Sequence, residues 1–99
     1  MTSWDPGLEK EPQPIRVEFY GIPRRRAGVA SLDVAASNLE EAFEQIAAAL
    51  PAMAESCLAH GRLQPGYLAN LNGTHFTTDP STPLSSGDTL LILSADVGG

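Results

Sequence analysis

One stretch of this chain constrains the rest. Leu39, Phe43, Ile46 and Leu50 follow one another at intervals of four, three and four, which gathers all four on one stripe of a helix. Glu40, Glu41, Glu44 and Gln45 fall off that stripe, and acidic groups in the first turns suit the positive end of the helix dipole. Ser37 and Glu40 fit an S-x-x-E capping box ahead of it, each side chain satisfying a free backbone donor of the other. No other segment carries a long helical period. The stripe must therefore be buried against one face of a sheet built from the strands on either side of it.

Those strands are legible. Ile15, Val17 and Phe19 alternate with Arg16, Glu18 and Tyr20, the period of a half-buried strand. Gly21, Pro23 and Gly28 bracket Arg24–Arg25–Arg26, which predicts a turn with a basic tip, solvated or in contact with an acidic partner surface. Residues 29–34 then read as a second strand, antiparallel to the first, with Leu32 and Val34 toward the core. Pro51 interrupts the main helix or starts another. Met53, Cys57 and Leu58 predict a short second helix stopping at Gly61, with Cys57 as a small buried hydrophobe. Residues 67–71 form a strand, Asn72–Gly73 is a strong hairpin signal, and a short strand over 74–77 pairs back. Residues 79–88 are turn chemistry, and Thr89 to Ser94 is the closing strand. Leu90 and Ile92 point to the core, so Leu91 and Leu93 point outward.

The predicted order is β-β-α-(α)-β-β-β, an α+β fold with a mixed sheet packed on one main helix and a second short helix. The first and last strands carry the strongest apolar signal and are expected as central neighbours. Residues 1–14, with Pro6, Pro12, Pro14, Gly7 and the lone Trp4, are expected as a flexible leader. Residues 15–95 form the domain, and residues 96–99 a flexible tail.

With 99 residues, 42% of them hydrophobic, the chain holds one modest core and has no room for separate cofactor and substrate domains. Its net charge of −6 argues against nucleic acid or an anionic membrane as partner, since phosphate binding needs a cationic surface. One cysteine excludes an internal disulfide and a thiolate-based structural metal site. No apolar run approaches the roughly 20 residues that span a bilayer. No basic start leads into an apolar stretch, so no secretory signal is visible and a cytoplasmic location is the default expectation. His60 and His75 stand fifteen residues apart without a third ligand at metal spacing. Asp79 and Asp88 fit turn capping. No Ser/His/Asp order, phosphate loop or redox C-x-x-C is present.

Three local features, in this element order, resemble the β-grasp, ubiquitin-like sulfur carriers of the MoaD/ThiS family. They are the strand-turn Ala69–Asn70–Leu71–Asn72–Gly73, the closing strand with its lead-in Gly87–Asp88–Thr89–Leu90–Leu91–Ile92–Leu93, and the final Gly98–Gly99. The likeness covers residues 15–99, and the diglycine is its functionally specific part; two glycines at given positions arise by chance about once in two hundred sequences. The resemblance implies that an E1-like adenylating enzyme uses MgATP to activate the Gly99 carboxylate, with Gly98 as its spacer. A persulfide sulfur, supplied indirectly by a sulfurtransferase or cysteine desulfurase, then replaces AMP. The resulting thiocarboxylate serves a sulfur-accepting biosynthetic enzyme. Residues without Cβ can lie flat in a narrow channel and leave the carbonyl open to attack. On this reading the chain is a co-substrate, binds no cofactor of its own and has no catalytic residues.

The resemblance also implies docking through an apolar sheet face, so Leu91 and Leu93, with Asp96 and Val97 in the tail, are candidate partner-binding residues. Asp96, three residues from the end, would help a partner discriminate among carriers. The second helical segment makes the chain more similar to the molybdopterin synthase small subunit than to the shorter thiazole carrier. Ser94–Ala95–Asp96–Val97 stands where those small subunits commonly carry proline, so a carrier for cysteine or another sulfur-containing metabolite stays open. Two other readings stay open: a ubiquitin-like modifier joined to lysines through Gly99, and a β-grasp interaction domain that carries nothing. Lys10 is the sole lysine, which limits self-conjugated chains to that site or the N-terminal amine.

Overall fold

The computed structural model describes residues 13–95. Of the expected leader only Gln13 and Pro14 fall among them, and the expected tail, residues 96–99, lies outside them. The chain runs β1 (Ile15–Phe19), α1 (Ile22–Ala27), β2 (Ser31–Val34), α2 (Leu39–Ala49) and α3 (Pro51–Cys57). It continues through β3 (Leu58–Ala59), β4 (Arg62–Leu63), β5 (Tyr67–Leu71), β6 (His75–Phe76) and β7 (Thr89–Ser94). Five strands form one sheet in the order β2-β1-β7-β5-β6, and β3 and β4 pair apart from it. The two strongest apolar strands do lie together at the centre. β1 and β7 run parallel with Val17 opposite Leu90 and Phe19 opposite Ile92, while the other neighbours in the sheet pair antiparallel.

One face of this sheet takes the helical stripe. Ile15, Val17, Phe19, Ala69, Leu90 and Ile92 from the strands are buried against Leu39, Ala42, Phe43 and Ile46 of α2 and Met53 and Cys57 of α3. Leu50, the last residue of the expected stripe, is half-buried at the joint between the two helices. A buried leucine-sized side chain stabilises by about 1.5–3 kcal/mol, so this single layer is the main cohesive term of so small a domain. Pro51 starts α3, where its missing donor costs nothing.

Four local expectations need correction. The bracketed arginines do not form a turn but the six-residue helix α1, with Pro23 in its first turn and Gly28 closing it in the left-handed region at φ 76°. Arginine is a good helix former, and three of them in the last turn suit the negative end of the dipole. As a result β2 begins at Ser31, two residues later than predicted, and Val29 is exposed. The cap of α2 is also shifted by one residue. Asn38 rather than Ser37 is the N-cap, its Oδ1 accepting from the Glu41 N–H at 2.8 Å. Glu41 rather than Glu40 reaches back, accepting from the N–H and hydroxyl of Ser37, both at 2.8 Å. Finally, α3 ends at Cys57, not Gly61, because His60 (φ 55°) and Gly61 (φ 76°) form the turn of the β3–β4 hairpin.

The two strand motifs of the sequence are joined to each other. Asn72 (φ 58°) and Gly73 (φ 77°) both adopt the left-handed conformation of a tight turn. The Asn72 backbone N–H donates to the Thr89 carbonyl at 2.8 Å, and its Oδ1 accepts from the Thr89 N–H at 2.9 Å. Its Nδ2 donates to Asp88 Oδ1 at 3.1 Å, while Asp88 Oδ2 accepts from the Ser85 N–H. This clamp fixes the start of β7, the end of the strand remote from Ser94.

Two measurements follow from these contacts. Asn72→Ala removes both side-chain bonds and strains a left-handed turn, so urea unfolding should show a loss of about 1.5–3 kcal/mol; Asn72→Gly, which keeps the turn, should lose less. The Ser37 donors hold the Glu41 carboxyl below its ordinary 4.5. A carboxyl lowered on folding stabilises above its unfolded value and loses that contribution as pH falls through its folded value. Glu41→Gln should therefore be less stable than the natural chain at pH 7, with the gap closing below about pH 4.5.

Candidate functional site

The helices pack on one face of the sheet, and the residues of the opposite face are half-buried or exposed apart from Asn70. Alternation places Arg16, Glu18 and Tyr20 on this face, beside Thr89, Leu91 and Leu93, then Leu68 and Asn70, then Phe76. Along β1 the side chains form a polar ladder. Glu18 Oε2 accepts from Arg16 Nε at 2.9 Å and Glu18 Oε1 from the Tyr20 hydroxyl at 2.7 Å. The Tyr20 hydroxyl and then the Arg16 guanidinium hold the Glu18 carboxyl below its ordinary value.

Leu91 and Leu93 lie on this outer face as predicted, but they are half-buried rather than fully exposed. Flanking strands on both sides supply the cover, as befits residues of a central strand. The most exposed apolar group of the face is instead Phe76 on the edge strand β6, 60% accessible. Between them sits Asn70, opposite both Leu91 and Phe76 and only 5% exposed. Its Oδ1 is buried without a hydrogen-bond partner among the described residues. Sequence reasoning passed over Leu68, Asn70 and Phe76. The strand alternation that placed Leu91 outward would also have found Leu68 and Asn70, once β5 was taken as the neighbour of β7.

The face ends where β7 ends. The Ala95 N–H donates to the Gly66 carbonyl at 2.7 Å. On the other side Gly21 comes so close that a Cβ there would meet Ser94 Oγ at 3.2 Å, and the Ile22 N–H reaches the same oxygen at 3.4 Å. The root of the predicted tail is thus held on two sides. Gly98, Gly99, Asp96 and Val97 lie outside the described residues.

Elsewhere the chemistry is spare. Cys57 is fully buried, as expected, and burial pushes its thiol above the ordinary value, which suppresses the reactive thiolate. His60 sits in the β3–β4 turn and His75 on β6. Among the described residues no three His, Cys, Asp or Glu side chains gather as a metal site would require. Asp79 accepts from the Ser81 N–H and hydroxyl, which lowers its carboxyl and accounts for it as a turn cap. No described helix is long and apolar enough to cross a membrane.

Neither a family model nor a curated protein matches the sequence. Solved structures do match the fold. SAMP1 from Haloferax volcanii is similar at TM-score 0.74 and 18% identity, covering 86% of this chain and 98% of that one. A chain of the Amycolatopsis orientalis BexX/CysO complex is similar at TM-score 0.72 and 19% identity, covering 86% and 99%. A Pyrococcus furiosus chain named as molybdopterin converting factor, subunit 1, is similar at TM-score 0.63 and 16% identity, covering 83% and 97%. This chain has the ubiquitin-like β-grasp fold of the MoaD/ThiS-like proteins. The α+β expectation holds with it, including a central pair made of the first and last strands. At such identities the likeness is one of fold, and residues must be judged on their own geometry.

Asn70 permits such a judgement. A buried polar atom without a partner carries its full desolvation cost. Asn70→Leu should therefore stabilise the isolated chain by about 1 kcal/mol in urea unfolding. A loss of stability instead would show that Oδ1 is satisfied in solution.

Proposed function

We propose that the chain is a sulfur carrier. An E1-like enzyme activates the carboxylate of Gly99: its oxygen attacks the α-phosphorus of ATP, and pyrophosphate leaves. The terminal sulfur of a persulfide attacks the acyl carbon, and AMP leaves. A second thiol then attacks the inner sulfur, releasing the thiocarboxylate and a disulfide. That thiocarboxylate passes its sulfur to a biosynthetic enzyme, with a molybdopterin synthase-like acceptor favoured by the α3 segment. The chain supplies a docking body and a leash, and the activating enzyme supplies the chemistry, so the protein is a co-substrate.

The observation that carries this reading is the placement of β7. It is the inner strand between β1 and β5, its far end is clamped through Asn72, and its near end opens at Ala95 onto the four residues that include Gly98–Gly99. A rigid strand with a short extension is what delivery of a carboxylate into a partner's site demands. The outer face with Leu91, Leu93, Leu68 and Phe76 offers apolar area next to that extension. Fully buried Cys57 leaves the relay of sulfur to the partner enzymes. The fold is shared with a protein named as a small archaeal modifier, SAMP1, so the alternative fate of an activated Gly99 is an isopeptide bond to a lysine.

Intact mass after incubation with an E1-like enzyme, MgATP and a persulfide source tests the proposal. Exchange of one carboxylate oxygen for sulfur, a gain of about 16 Da at the group where nucleophilic attack occurs, is expected, and a variant lacking Gly98–Gly99 should show none. Adducts on lysines of other proteins without a thiocarboxylate would assign the modifier role. An unchanged mass with intact binding would leave an interaction domain.

A further inference from the structure

The arginines of α1 suit its helix dipole but pair with no side chain among the described residues. Pro23 is buried and anchors the helix, while Arg24, Arg25 and Arg26 are exposed. Among the described residues the ion pair is Arg16–Glu18, so these three guanidinium groups stand without a carboxylate partner in a chain of net charge −6. Arg24 and Arg25 line an open cleft of about 430 Å³ together with Gly21, Gly28, Val29 and Ala30. Apolar groups gather at the same place. Of the large hydrophobic side chains left exposed among the described residues, Tyr20, Ile22 and Val29 all belong to this connection between β1 and β2, and Phe76 alone does not.

Position gives the surface its meaning. The first residues of α1 lie against Ser94, where β7 ends. Four extended residues span at most about 14 Å, so whatever engages Gly99 must stand within that distance of Ala95. A specific interface covers about 800 Å² on each partner, a patch about 30 Å across. A partner that reads the tail from the α1 side therefore covers the arginines too.

Resting on the carrier reading above, we propose that α1 is a second docking surface, which takes an acidic segment, flanked by apolar side chains, of the enzyme that activates Gly99. Carboxylates of that segment pair with Arg24 and Arg25, whose planar guanidinium groups hold two oxygens at once. Its apolar side chains cover Ile22, Val29 and Tyr20. Charge complementarity selects this occupant, since α1 gathers three of the six basic residues of a chain with twelve acidic ones. The surface adjoins the outer sheet face at Tyr20, and its arginines add electrostatic steering to apolar docking.

Steady-state pyrophosphate exchange with an E1-like enzyme that adenylates the natural full-length chain tests the assignment. The double variant Arg24→Glu/Arg25→Glu should raise the KM for the carrier about 10- to 100-fold at low salt with kcat within about twofold, and should flatten the dependence of kcat/KM on salt. Arg24→Lys/Arg25→Lys, which keeps the charge but not the bidentate fork, should restore the salt dependence and recover part of the KM. Arg62→Glu, a single charge reversal on β4 against the two made on α1, should stay within about twofold of the natural chain. Unchanged urea midpoints would confirm that the exposed substitutions leave the fold intact. A Glu variant with the natural KM and salt dependence overturns the inference and leaves the carrier reading standing. So does a KM that Arg24→Glu/Arg25→Glu lowers in the full chain and leaves unchanged once residues 1–12 are removed, which would assign the arginines to Asp5, Glu9 and Glu11 of the same chain. Failure of every E1-like enzyme to adenylate the natural chain would overturn the carrier reading, and this inference with it.

Discussion

The parallel pairing of β1 with β7 is the contact on which the rest of the molecule depends. It joins the first described strand to the last and places Val17, Phe19, Leu90 and Ile92 in the middle of the core. Parallel neighbours cannot be linked by a tight turn, so everything between them must serve as crossover. The stripe of α2 covers the pair on one side, and β2 and β5 flank it in the sheet. Burial on one face by helices and in the plane by strands is what lets so short a chain hold a unique sheet.

The same arrangement separates holding from presenting. One end of β7 is tied by the side chain and backbone of Asn72 and by Asp88; the other abuts Gly21 and Gly66 and continues into the tail. Residues that face inward along β7 answer to packing, and those that face outward, Leu91 and Leu93, are free to answer to a partner. Asn70 belongs to neither group comfortably. A buried amide oxygen with no partner is a cost that packing alone would remove.

Much of this was legible in the sequence because period and turn chemistry are strong signals. The alternation from Ile15, the stripe from Leu39 and the pair Asn72–Gly73 each named an element whose position holds. What was missed has physical causes. Arg24–Arg26 carry no apolar period, and a helix of six residues buries too little to write one. The cap moved from Ser37 to Asn38 because both residues can accept the same kind of bond, while residues 80–84, far along the chain, engage the backbone of Ser37 and Leu39. The β3–β4 hairpin turns on His60 and Gly61, and its two-residue strands are too short to write an alternation. Leu91 and Leu93 were read correctly for direction, but their exposure depends on neighbours from distant parts of the chain.

The place of β7 also governs when this molecule can come into being. The inner strand is the last of the described elements to be synthesised, and its partner β1 is the first. A growing chain can form the α2 stripe early, but that stripe has no complete surface to rest on until residues 89–94 have emerged. Loop closure over nearly the whole domain must precede the reward of the central contacts. Assembly is therefore all or nothing, and a chain broken off before Thr89 would have no stable half-structure to fall back on.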